Sequence, residues 1–167
     1  MRLVGGEMSE TKNVFISHVH EDDELLPKLK ELISNAGMEV RDGSISSDKP
    51  NEARSEEYIK QEILAPRIQW ASTLVVLIGP ETADSWWVNW EIKYAIEQGK
   101  RVIGVYAQGA TEADIPEELR RCGDAVIVGW QGERVVSAIL GDIPDWDRPE
   151  SAEGREPEWA IKRFSCS

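Results

Sequence analysis

Short apolar runs alternate along the chain with segments whose apolar residues recur every three or four positions. Asn13-Val14-Phe15-Ile16-Ser17 is a compact run with polar residues on both sides, which predicts a buried strand. Over residues 22–35, Leu25, Leu26, Leu29, Leu32 and Ile33 share one face of a helix closed by Gly37. A weaker strand, 38–42, ends at an Asp-Gly turn, and a polar loop occupies 43–54. A helix over 55–64 continues past Pro66 with a break. Thr73-Leu74-Val75-Val76-Leu77-Ile78-Gly79 is the clearest strand, apolar on both faces and rich in β-branched residues. A tryptophan-rich helix follows, then a strand over 101–107 and a short helix over 114–121. Asp114 is placed to cap that helix, with Glu117 completing a capping box. A strand over 125–129 and a helix over 133–140, ending at Gly141, close the pattern.

Five strands alternating with five helices predict an α/β fold with a doubly wound parallel sheet. Ligands of such sheets bind beyond the carboxyl ends of the strands, near a switch in strand order. The turns at Ser17-His18, Asp42-Gly43 and Gly79-Pro80 are therefore expected on one rim, beside the start of the tryptophan-rich helix. The expected organisation is an N-terminal arm (1–12), one domain (13–143) and a C-terminal extension (144–167) carrying Trp146, Trp159 and Phe164. No internal repeat is visible, and Met8 is a second candidate start.

Thirty-one acids against 19 Lys and Arg give a net charge of −12. That balance argues against nucleic acid and against anionic lipid, whose phosphates are bound by neutralising them. The longest apolar run is too short to span a bilayer. Cys122 and Cys166 fit neither a disulfide framework nor a metal site, and are consistent with a reducing, cytoplasmic setting.

The densest chemistry lies in Ser85-Trp86-Trp87-Val88-Asn89-Trp90-Glu91-Ile92-Lys93-Tyr94-Ala95-Ile96, which holds three of seven tryptophans. With a helical step of about 100°, Val88, Ile92, Ala95 and Ile96 form an apolar stripe, and Glu91 falls roughly 40° from Ala95 at its edge. Trp87 is the i,i+4 neighbour of Glu91 on the same face. A carboxylate there would be partly desolvated, the condition under which acids are tuned for chemistry. The plain alternative is a solvated helix glutamate beside space-filling indoles. Trp86 and Trp90, a second i,i+4 pair, are expected on the outer face, where exposed indoles suit an interface. Asp42 is suited either to a ligand hydroxyl or simply to a turn.

His18-Val19-His20-Glu21-Asp22-Asp23 approaches a two-metal hydrolase motif, but the chain has only two histidines, so metal chemistry is not expected. The acids suit a helix start, and His18 stands at a strand end where it can face the rim. No GxGxxG, P-loop or GxSxG is present.

Taken together, the Val14-Phe15-Ile16-Ser17-His18 strand, the polar loop after the second strand, the Trp87-Val88-x-x-Glu91 helix behind Val75-Val76-Leu77-Ile78-Gly79-Pro80, and Gly99-Lys100-Arg101-Val102-Ile103-Gly104-Val105 resemble TIR domains. The likeness covers residues 13–141 and is greatest to the bacterial TIR-like branch of Thoeris anti-phage defence. The resemblance implies a flavodoxin-like three-layer fold around a five-stranded parallel sheet. It implies an enzyme that cleaves NAD+, as substrate and without a further cofactor, between nicotinamide and ribose. Glu91 would be the catalytic residue. Ser17, His18, Asp42 and Trp87 would form the NAD+ pocket, although His18 stands where aromatic or basic residues are common. It further implies an ADP-ribose-derived signal, often cyclic, that activates a separate effector. Homo-oligomerisation completes such sites, and a phage-derived trigger is the implied activator. A non-catalytic TIR adaptor and a nucleoside-transferring enzyme with a glycosyl-glutamate are the competing readings.

Overall fold

The computed structural model describes residues 10–43, 59–121 and 125–142. The predicted arm up to residue 9, the loop from 44 onward, the start of the predicted 55–64 helix, Cys122 and the C-terminal extension lie outside the described residues.

Strand β1 (Glu10–Ser17) pairs in parallel on one side with β2 (Met38–Asp42) and on the other with β3 (Thr73–Ile78). Beyond β3 lie β4 (Arg101–Tyr106) and β5 (Val126–Val128), giving the order β2-β1-β3-β4-β5 with every pair parallel. The order reverses between β1 and β3, so the carboxyl ends of those two strands form the switch point.

Alternation along the strands divides the core in two. Phe15, Val76, Ile78, Val102, Tyr106 and Ile127 point towards α2 (Ala65–Trp70), α3 (Trp86–Glu97) and α4 (Glu117–Arg120). Val14, Ile16, Val75, Leu77, Ile103, Val105 and Val128 point towards α1 (Leu25–Asn35) and α5 (Gly132–Leu140). The result is the expected three-layer α/β fold. Because helices cover both faces, all six residues of β3 are buried, which explains why its sequence shows no alternation.

The boundaries differ from the sequence pattern in four places. β1 begins at Glu10, so residues 10–12, assigned to the arm for their polarity, are strand. They lie beside β2, which has one neighbour among the described residues, and Glu10 pairs with Met38. The helix expected from residue 22 is a 3-10 turn (His20–Asp22) followed by α1. The helix around Pro66 changes pitch instead of ending: a π-helical stretch (Ile59–Leu64) runs into α2, with Pro66 in its first turn. Within this continuing helix proline lacks the N–H that would bond the preceding turn, and its ring crowds the carbonyl four residues back. Asp114 completes a capping box with Thr111 on a 3-10 turn (Glu112–Asp114), while Pro116 precedes α4.

Helices α1 and α5 approach closely at Gly132, where an added Cβ would stand 2.6 Å from the Leu32 carbonyl oxygen. Gly132→Ala should lower the unfolding free energy by about 1–3 kcal/mol, as overpacking does. Alanine's greater helix propensity acts in the opposite direction. A denaturation midpoint that stays put or rises would show that the two helices are not packed this closely.

Candidate active site

The start of α3 is fixed by short-range bonds from polar residues in the preceding loop. The Thr82 hydroxyl accepts from the Gly79 amide at 2.8 Å and donates to the Leu77 carbonyl at 3.3 Å. Ser85 caps the helix by accepting from the Val88 amide at 3.1 Å, and Asn89 donates back to the Ser85 carbonyl at 2.9 Å. Neither the direction nor the rotation of α3 is left free.

That rotation buries Val88, Glu91, Ile92 and Ala95 together. These are i, i+3, i+4 and i+7 positions, so Glu91 sits inside the apolar stripe and not at its edge. It is 1% exposed. The Ser17 hydroxyl, at the end of β1, donates to Glu91 Oε1 at 2.5 Å, across 74 residues of sequence. The Trp87 indole lies beside the same carboxyl. Burial pushes the Glu91 pKa up to about 8, and the Ser17 hydroxyl and the Trp87 indole offset part of that rise. Near neutral pH the carboxyl is therefore mostly a neutral acid. Ser17 is 1% exposed, whereas Trp87 is only partly buried. Of the two partners, Trp87 is the one that reaches the surface.

Ser17, Trp87 and Glu91 thus come together, while His18 and Asp42 are engaged elsewhere. His18 is 4% exposed, with Nδ1 3.1 Å from the Ile16 carbonyl oxygen and Nε2 2.7 Å from Asp23 Oδ1. His20 Nδ1 lies 2.9 Å from the other oxygen of Asp23. Asp42 is level with Val14 in the ladder, three residues before Ser17, and shares the face that carries α1. Its carboxylate pairs there with Lys30 at 3.0 Å. Strand alternation puts it on the opposite side of the sheet from Ser17 and Glu91.

The outward tryptophans are also reassigned. Trp86 is exposed (45%), but Trp90 is partly buried, stacked on Tyr94 at 5.1 Å between centroids. The Lys60 ammonium lies over both Trp86 and Trp90, at 5.3 and 5.7 Å. Gln69 donates to the Tyr94 hydroxyl. The 86–90–94 row is chiefly an internal contact with the helices of residues 59–70.

One residue passed over in the sequence pattern stands at the switch point. Asp22 is 5% exposed and packs against the bare α-carbon of Gly79. Its Oδ2 has no hydrogen-bond partner among the described residues, and burial raises its pKa. The signal available was position alone, an acid in the turn that follows the first strand. Among the described residues, no three His, Cys, Asp or Glu side chains are arranged to hold a metal ion, and no helix is long and apolar enough to cross a membrane.

A five-stranded parallel sheet in the order 2-1-3-4-5, with a buried glutamate presented by the helix after the third strand, defines a TIR-like domain of flavodoxin-like architecture. The family described as Thoeris protein ThsB, TIR-like domain, matches residues 15–112, more than half of the chain. The chain belongs to this anti-phage defence family. No curated protein is significantly similar to it in sequence.

The buried carboxyl has a consequence for stability. Between the ordinary glutamate value of 4.5 and about 8, the folded protein keeps a proton on Glu91 that the unfolded chain has released. Stability therefore falls as pH rises through that window. Glu91→Gln removes this slope while keeping an acceptor for Ser17. The variant should gain on the wild type between about pH 5 and pH 8, by an amount on the order of a few kcal/mol. Parallel stability curves for the two proteins would show that Glu91 ionises normally.

Proposed function

We propose that this protein cleaves NAD+ at the bond between nicotinamide and ribose, releasing an ADP-ribose-derived signal in anti-phage immunity. The observation that supports this most directly is the fully buried carboxyl of Glu91, beside Ser17 and Trp87 at the position that the TIR resemblance makes catalytic. As the C1′–N bond breaks, its electron pair leaves with nicotinamide, positive charge develops on the ribose, and water or a nucleophilic atom of the ADP-ribosyl group itself bonds to C1′ in its place. A carboxylate beside that carbon stabilises the charge, and no metal is needed for it.

The raised pKa then becomes part of the mechanism. Glu91 must ionise to act, and the nicotinamide ring of NAD+ carries a positive charge. An opposite charge brought next to a buried acid favours its ionised form. Substrate binding therefore releases the proton of Glu91, and a neutral ligand of the same shape does not. Trp87, partly exposed and one helical turn before Glu91, is the side chain that would meet the ring. His18 and Asp42 act indirectly, by holding the ends of β1 and β2. Assembly with a second copy, a phage-derived trigger and a separate effector complete the proposal, in the cytoplasm. A cyclic product is favoured over a linear one by the family likeness. A non-catalytic adaptor is the second reading, and the exposed Trp86 ring supports it.

Concentrated protein incubated with NAD+ should release nicotinamide, followed by chromatography of the products. Glu91→Gln should lower turnover by about 100-fold or more, the scale of losing one preorganised electrostatic group. In the wild type, kcat/KM should rise with pH to a plateau above about 8, because that parameter reports the free enzyme. Undiminished turnover in the variant would remove Glu91 from the chemistry. Absence of turnover in the assembled wild type would favour the adaptor.

A further inference from the structure

Ser17 was expected to line the substrate pocket, yet its surroundings suit a different task. It is the last residue of β1, buried on the face that carries α3, and its backbone is registered against Val76 of β3. Its hydroxyl carries one proton, and that proton is directed at Glu91 Oε1. The glutamate side chain has three rotatable bonds; the serine has one, on a strand that cannot rotate. Trp87 cannot perform the same service, since it belongs to the same helix as Glu91 and moves with it. Ser17 is the partner that ties the carboxyl to the sheet.

We propose that Ser17 is a positioning residue: its hydroxyl fixes the direction of the Glu91 carboxyl relative to the carboxyl ends of β1 and β3, and donates no hydrogen bond to substrate. The proposal rests on the catalytic reading of Glu91 for its effect on turnover, but not for its effect on the carboxyl itself. Without the hydroxyl, Oε1 loses its donor in a place water does not reach, so the neutral acid is favoured and its orientation loosens. A threonine keeps the donor. A cysteine keeps the volume with a weak donor.

The test uses the full chain carrying glutamate labelled with carbon-13 at the side-chain carboxyl, with Glu91→Gln assigning the resonance. A titration without NAD+ should show the Glu91 midpoint about one pH unit higher in Ser17→Ala than in the wild type, roughly the value of one hydrogen bond to the charged form. Ser17→Cys should move the same way and Ser17→Thr should not. With NAD+, measured above each protein's midpoint, Ser17→Ala should lower kcat about tenfold or more at unchanged KM. An unmoved midpoint in both Ala and Cys variants overturns the proposal, as does a raised KM at unchanged kcat, which would make Ser17 a substrate contact. A shifted midpoint in a protein that never consumes NAD+ upholds the positioning role and rejects the enzyme reading.

Discussion

A carboxyl group at a core position of a helix must find its partners inside the protein, and this requirement organises the site. Glu91 occupies a place in the buried face of α3 that an apolar residue would fill without cost. The Ser17 hydroxyl meets it from the sheet and the Trp87 indole from one helical turn away. One hydroxyl and a neighbouring indole are too little to hold a buried anion comfortably, so the carboxyl is kept largely as an acid. The site therefore holds the carboxyl protonated, and on the proposed reading a cationic ligand is what ionises it. The same arrangement makes the protein less stable towards alkaline pH, so stability and chemistry are drawn from one interaction.

The fold supplies what that interaction needs. A parallel sheet covered on both faces fixes Ser17 in depth and direction, because β1 is held by β3 up to its last residue. On the other side of the sheet the same strand alternation carries Asp42 to Lys30, away from Glu91. His18, one residue beyond Ser17, is occupied by the Ile16 carbonyl and Asp23, which fastens the chain as it leaves β1. Residues that look like pocket members by their place at strand ends are thus divided between holding the frame and holding Glu91.

Helix α3 is used all round. One face carries Glu91 and the core residues; the 86–90–94 row packs against Lys60 and Gln69. Trp86 and Trp87 touch edge to face at 5.3 Å, so the two faces are in contact at the start of the helix. The tryptophan richness that makes this segment conspicuous thereby serves two neighbours at once, the helices of residues 59–70 and the buried acid.

The amino-acid sequence alone determined the order of elements, the two-sided burial of β3, and the placing of Trp87 and Glu91 on one helical face. All of these follow from periodicities of two and 3.6 residues, which are local. It also carried the family likeness that the match over residues 15–112 bears out. It did not reveal that Glu91 is wholly buried, that its partner lies 74 residues away, that Asp42 faces the other layer, or that Trp90 stacks inward. Nor did it show that polar residues 10–12 extend the first strand, since their pairing with β2 is a property of the neighbour. Burial, hydrogen-bond partners and strand pairing depend on segments distant in sequence and adjacent only in the folded chain. Tertiary structure decided them, and with them the state of the one carboxyl on which the proposed chemistry turns.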